Sequence, residues 1–315
     1  MRAVTIVDGA LEWRDHEDPV PGRGEVLVSV RAAGINGADP MQVRGGYPAP
    51  PGWPQDIPGM EFAGEAVGFG RGASRFELGD RVMGLSGGGG QAELIVVPES
   101  ALVPVPPEVP FEQAGGFPEV FSTAYDALFS RAHVSVGERV LVSGAAGGVG
   151  TAAVQLAHAA GAFVVASVRH SEFHDAVRAL GADLVVEPDG IGAHGPFDVS
   201  LELVGAPGVA AVLPLLSTGG RIVVIGVSGA GAKVEINLLQ VMAARAFLTG
   251  STLRGRTEAE KAAVARAVET HVVPLLAEGV IEVKVADRFA MADAAKAYER
   301  FTAGRKLGKI VLVNE

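Results

Sequence analysis

Three glycines at a spacing of three, Gly144, Gly147 and Gly150, are the residues of this chain best placed to do chemistry on a phosphate. Such a turn bends sharply, lets the backbone approach a pyrophosphate and lets a helix pack closely on a strand. Gly148 and Val149 lie within it. Before it, Val140-Leu141-Val142 reads as a strand buried on both faces. After it, Val149, Ala153, Leu156, Ala157 and Ala160 share one helical face. Strand, glycine turn and helix form the context a dinucleotide fingerprint requires. The helix start adds free N–H groups and a partial positive charge. Glycine is abundant, 43 of 315 residues against about 7% on average, so the flanking elements carry the reading. Residues 163–168 read as a second strand, 172–180 as a helix ended by Gly181, and 184–186 as a third strand. That is βαβαβ, one mononucleotide-binding half.

The end of the second strand selects the cofactor. An NAD site places Asp or Glu there, about 20 residues beyond the fingerprint, on the ribose 2′-hydroxyl. This chain reads Ser167-Val-Arg169-His170-Ser171, with no acid before Glu172. Arg169 can pair with a 2′-phosphate, and Ser167, His170 and Ser171 can add hydrogen bonds. The expectation is NADPH, with an ordinary surface arginine as the bland alternative.

Composition sets the limits. A net charge of −10 gives no general attraction to nucleic acid or anionic lipid. With no cysteine there is no disulfide and no thiolate metal site. The first residues lack the apolar core of a signal peptide. Residues 141–168 carry no Asp, Glu, Lys or Arg and are long enough to span a bilayer. Five glycines, Gln155 and His158 interrupt them, and strand–turn–helix–strand explains them better. A soluble cytoplasmic protein without a membrane or nucleic-acid partner is expected.

Residues 1–121 read as a mostly β domain, with strands at 3–7, 25–33, 62–68, 81–84 and 92–97 separated by Gly and Pro clusters. Asp39 before Pro40 fits N-cap then first turn of a short helix. Residues 103–110 are a stiff proline-rich connector. Residues 122–255 read as the nucleotide domain. Its second half comprises strand 197–203, helix 207–216, a turn at Gly219-Gly220, strand 221–225 and strand 247–250. A single long helix covers 258–276. Six strands already complete a doubly wound sheet, so residues 256–315 should return to the first domain.

These residues together resemble the medium-chain dehydrogenase/reductase superfamily, and most its zinc-free NADPH:quinone oxidoreductase branch. The resemblance rests on Gly34-Ile-Asn36-Gly-Ala-Asp39, Arg44-Gly-Gly-Tyr47-Pro48, Pro58-Gly-Met60-Glu-Phe-Ala-Gly64, the segment from Pro118 to Leu128, Gly250-Ser251-Thr-Leu253-Arg254 and Gly308-Lys309-Ile-Val-Leu312. Two positions depart from the branch: Gly144 stands where Ala is usual, and Phe173 where a basic residue is common.

The resemblance implies a Rossmann doubly wound α/β domain, a GroES-like catalytic domain and a homodimer. It implies that Asn36 and Tyr47 line the nicotinamide and substrate site. Tyr47 could hydrogen-bond a developing oxyanion or relay a proton, or simply pack on neighbouring prolines. It carries over Thr123, Val204, Gly205, Gly226, Val227, Ser251, Leu253 and Lys309 as further cofactor contacts. Zinc-dependent relatives use a Cys and a Gly-His-Glu motif. Here Met60 stands at that His, and a thioether is a poor zinc ligand. The expected activity is hydride transfer to a quinone. The alternatives are reduction of a conjugated enone or an aromatic polyketide-like intermediate and, in another class, an NADPH-binding sensor or an RNA-binding protein. The acidic balance argues against RNA.

Overall fold

A computed structural model describes residues 1–227 and 231–314. The chain divides into two compact units, Met1–Ser122 with Leu253–Glu315, and Thr123–Thr252.

The first unit opens with β1 (Arg2–Val7) and β2 (Ala10–Asp15), an antiparallel hairpin. Then come β3 (Glu25–Gly34), helix α1 (Asp39–Val43), β4 (Glu61–Phe69), β5 (Arg81–Leu85), β6 (Leu94–Pro98) and β7 (Leu102–Pro104). Two helices follow, α2 (Phe111–Ala114) and α3 (Pro118–Tyr125). In β3, Val26, Val28 and Val30 are buried on one face, the period of two expected of a half-covered strand.

The second unit begins its sheet with β8 (Arg139–Ser143), followed by α4 (Gly148–Ala159), β9 (Phe163–Ser167), α5 (His174–Ala179) and β10 (Leu184–Val186). β11 (Phe197–Glu202), α6 (Ala206–Val212), β12 (Leu216–Val224), α7 (Leu238–Ala244) and β13 (Phe247–Gly250) complete it. The strand order is β10-β9-β8-β11-β12-β13, and every pairing is parallel. This is the doubly wound order, and the direction of winding reverses between β8 and β11. Helices cover the sheet, so β8 and β9 are buried along nearly all their length and read as apolar runs.

The chain then returns to the first unit through α8 (Glu258–His271), α9 (Val273–Ala277), β14 (Val285–Ala290), α10 (Ala294–Thr302) and β15 (Lys309–Val313). A seven-stranded sheet runs β14-β15-β3-β4-β5-β7, with β6 also on β3. Val26, Val28, Phe62, Val97, Leu102, Ile310 and Leu312 meet Tyr298 and Ala297 of α10 in its core.

Three local expectations are corrected. β12 starts at Leu216, so Gly219-Gly220 lies within the strand. The register against β11 jumps from Leu216↔Phe197 to Arg221↔Val199, a bulge in place of a turn. The single helix 258–276 is two, broken at Val272 just before Pro274, which has no N–H to donate. Asp39 is the first residue of α1, with Ala38 at the cap and no side-chain cap bond. Its carboxylate instead accepts from the backbone N–H of Asn36 at 2.7 Å and of Gly59 at 3.3 Å.

Candidate active site

The glycine turn sits at the carboxyl end of β8, where the sheet winding reverses. Gly144 has φ +65°, and a Cβ on Gly150 would fall 2.4 Å from the Gly144 carbonyl oxygen. The turn therefore needs glycine at both places, at the first for its left-handed backbone and at the third for its closeness. Glycine at 144 takes that left-handed backbone without strain. Gly147 caps α4 with extended backbone, so the N–H groups of Gly148, Val149 and Gly150 open the helix without carbonyls four residues back. They form a ready anion site.

The other nucleotide-side residues of this unit follow the same edge of the sheet. Ser167 ends β9 and is buried, and its carbonyl accepts from the Ala145 N–H at 3.0 Å. Arg169 lies two residues beyond, exposed, with no hydrogen-bond or ion-pair partner among the described residues. His170 meets the edge of Phe173 at 6.2 Å, and Ser171 is exposed. Phe173, already read as a departure at that position, packs there.

At the end of β11, buried Glu202 shapes the loop: Oε1 accepts from Val204 N–H at 2.6 Å and Gly205 N–H at 2.9 Å, and Oε2 from Ser143 Oγ at 2.9 Å. Gly226 follows β12 and Val227 is half exposed. Thr123 is buried in α3, and Ser251 Oγ donates to Asp126 Oδ2 at 2.5 Å. Glu202 and Asp126 were not foreseen. An acid ending an apolar strand is the only sign of the first.

The first unit holds a buried charged cluster. Glu61 in β4 and Lys309 in β15 are almost wholly enclosed and pair at 2.6 Å. Lys309 Nζ also donates to the Ile35 carbonyl at 2.9 Å and to Asn36 Oδ1 at 2.6 Å. Its three protons are thereby engaged within the unit. Asn36 Nδ2 donates to Glu61 Oε1 at 2.8 Å, so both ends of the Asn36 amide are fixed. The pair fits because position 34 is glycine: a Cβ there would lie 2.2 Å from Glu61 Oε1. Glu61 Oε2 accepts from the Glu119 N–H at 2.8 Å, in the first turn of α3.

Arg254 organises the rest. Its guanidinium donates to Gly87 O at 3.0 and 2.8 Å, to Gln42 Oε1 at 2.6 Å and to Tyr47 O at 3.1 Å. It also lies 4.9 Å from the centre of the Tyr47 ring. The ring is half-buried. Leu253 is buried beside Arg254 in sequence. Thus Asn36, Lys309 and Glu61 form one group, and Tyr47, Arg254 and Gln42 another. Burial raises the Asp39 carboxyl to about 6 and, with help from the Glu61 charge, Glu119 to about 7.

A doubly wound parallel sheet with a glycine turn at its switch point is the architecture of a dinucleotide-binding domain. Residues 22–107 match the alcohol dehydrogenase GroES-like domain, and residues 148–269 match the zinc-binding dehydrogenase domain. The chain is 31% identical to human quinone oxidoreductase over 99% of its own length and 98% of that protein's. It belongs to the medium-chain dehydrogenase/reductase superfamily. A solved structure described as an NAD-dependent alcohol dehydrogenase covers both chains completely, with TM-score 0.89 and 27% identity. A mycobacterial structure described as a complex with NADPH does so with TM-score 0.87 and 27% identity. The two neighbours name different cofactors.

Proposed function

We propose that this chain is an NADPH-dependent, zinc-independent quinone oxidoreductase, acting in the cytoplasm as a homodimer. The observation that carries the cofactor reading is the exposed Arg169 just beyond β9, without a partner among the described residues, on a strand end with no carboxylate. A 2′-phosphate would meet a planar donor fork there and no negative charge. The turn from Gly144 to Gly150 and the start of α4 would take the pyrophosphate. Val204, Gly205, Gly226, Val227, Thr123, Ser251 and Leu253 complete the proposed contacts, and Lys309, its three protons already engaged, acts through Asn36.

When bound, the nicotinamide supplies a hydride, and the protein's task is alignment and charge management. Quinones accept hydride without strong Lewis-acid help, which suits a chain carrying Met60 where relatives place a zinc-binding His. Tyr47, steadied by Arg254, would hydrogen-bond the acceptor oxygen as negative charge develops. Asn36, fixed at both ends, would orient the acceptor.

The edge strand β13 supports the dimer. Phe247 is 64% and Leu248 52% exposed there, and Leu239 and Met242 of α7 are each 71% exposed. An unpaired apolar strand edge invites a second copy. The test is steady-state NADPH oxidation across a small quinone panel, with chelator present and absent, and sedimentation of the same sample. Chelator-resistant quinone reduction by a dimer is expected. Zinc at one per chain with activity lost on its removal, or no turnover of any quinone, overturns the reading.

A further inference from the structure

Three strand ends of the second unit meet at one residue. Glu202, the last residue of β11, is fully enclosed. Its Oε2 accepts from Ser143 Oγ at 2.9 Å, and Ser143 ends β8 just before Gly144. Its Oε1 accepts from the N–H groups of Val204 and Gly205 at 2.6 and 2.9 Å. Its carbonyl accepts from the N–H groups of Ile225 and Gly226, just past β12, at 3.0 and 3.3 Å. The loop is shaped around this residue. Gly205 has φ +123°, a backbone that glycine alone takes easily. A Cβ on Gly208 would run into Glu202 Oε2, so the first turn of α6 leaves room for the carboxylate only because position 208 is glycine.

None of the three side-chain bonds comes from a cation. A carboxylate taken out of water on such terms is costly, and an apolar side chain could fill the space at less cost. Fold stability alone does not account for the residue. The carboxylate turns the N–H groups of Val204 and Gly205 inward, and the loop meets the glycine turn with apolar atoms. Val204 Cγ2 lies 3.5 Å from where a Cβ on Gly144 would stand, and Leu203 Cβ 3.6 Å. The Leu203 carbonyl oxygen backs onto Gly226, 3.0 Å from where a Cβ there would stand.

Each half of a doubly wound sheet takes one mononucleotide. Arg169, proposed for the 2′-phosphate, follows β9, on one side of β8 in the sheet. The Glu202 loop follows β11, on the other side of β8. The adenosine end of a dinucleotide thus falls to β9 and the nicotinamide end to β11. We propose that Glu202 is the positioning residue of the nicotinamide half, fixing Leu203, Val204 and Gly205 as the apolar wall that receives it. Glu202 acts through the loop and not by touching the cofactor. This rests on the dinucleotide reading above and is independent of the acceptor.

The test is titration of the whole protein with NADPH, with NADH and with two probes of the adenosine end alone, 2′,5′-ADP and ADP. Glu202→Ala leaves two enclosed N–H groups without an acceptor. It should weaken both dinucleotides by roughly 10-fold or more, with the adenosine probes bound as by the wild type. Glu202→Gln keeps an oxygen for the two N–H groups and can donate to Ser143 Oγ, so it should recover most of the lost affinity. Gly208→Ala should reproduce the loss by pushing the carboxylate aside, although alanine favours a helix. It leaves Glu202 itself in place. Equal weakening of dinucleotides and adenosine probes in both alanine variants overturns the proposal, because the residue then serves the whole fold. Unchanged dinucleotide binding in either variant overturns it too. A wild type that binds none of the four ligands defeats the dinucleotide reading itself, an outcome distinct from these.

Discussion

The Arg254 guanidinium holds Tyr47 twice, by a 3.1 Å hydrogen bond to its carbonyl and by lying 4.9 Å from its ring centre. The same group spans to the glycine loop at Gly87 and to Gln42. Arg254→Ala removes the fork and leaves these acceptors without a donor. Its expected effect is a kcat lower by roughly 10-fold or more, with NADPH affinity unchanged. Arg254→Lys should rescue little, because an ammonium cannot reproduce the planar set of bonds. Full activity in a folded Arg254→Ala protein would count against the link.

Tyr47 is tested separately. If its hydroxyl assists the acceptor oxygen, Tyr47→Phe lowers kcat by roughly 10-fold and leaves the affinity for NADPH intact. The ring and its contact with Arg254 survive in this variant, so the change isolates the hydroxyl. Unchanged turnover would return Tyr47 to packing against its prolines.

Arg169 should govern cofactor choice. A charge-assisted contact to a 2′-phosphate contributes about 1.5–3 kcal/mol, which corresponds to a preference for NADPH of roughly 10- to 100-fold. Arg169→Ala should erase most of it by weakening NADPH, with little change for NADH. Titration of both nucleotides into wild type and variant decides this. Equal binding by the wild type would defeat the cofactor assignment, and a preference that persists in the variant would move the role to Ser167, His170 or Ser171.

Glu119 should leave a mark on stability. Its carboxyl rises from an ordinary 4.5 to about 7 in the folded chain, mainly through desolvation. Between those pH values the folded state holds a proton that the unfolded state has released, so stability falls as pH rises through that window. Above it the whole cost is present; below it none is. Glu119→Gln removes the cost, so the variant should gain on the wild type between about pH 5 and 8, by on the order of 3 kcal/mol. Asp39 acts with the same sign but is common to both proteins and cancels. Urea unfolding of both at each pH measures the gain, and an equal difference at the two pH values would refute the shift.

The nucleotide fold was legible because its central strands β8 and β9 are covered on both faces and so appear as apolar runs. The edge strands Leu184–Val186 and Phe247–Gly250 are also read to the residue, though the first is half-buried and the second largely exposed. The hairpin arm Ala10–Asp15 escaped, since only Leu11 and Trp13 turn inward and charged residues fill three of the other four places. Gly219-Gly220 looks like a turn in sequence, but parallel pairing on β11 absorbs it as a bulge. The charged cluster was the least legible part. Glu61, Asn36 and Lys309 are distant in sequence, and a contact across 273 residues has no local signature. One hint was available: an acid opening β4 and a lysine opening β15, the lysine heading an otherwise apolar strand. A charge in such a place must find a partner or be strongly penalised.

The return of the tail to the first unit has a consequence for how this protein is made. The second unit, Thr123–Thr252, is one uninterrupted stretch and can fold while the ribosome is still at work. The first unit cannot. Its β3 waits for β15, and Glu61 stays a lone acid facing an unfinished core until Lys309 emerges. The nascent chain thus carries an open sheet edge through most of its synthesis, and the ion pair closes the unit only near the end. A chain cut just before Lys309 would keep a well-formed nucleotide fold beside a first unit that cannot close, a ready client for chaperones and proteases.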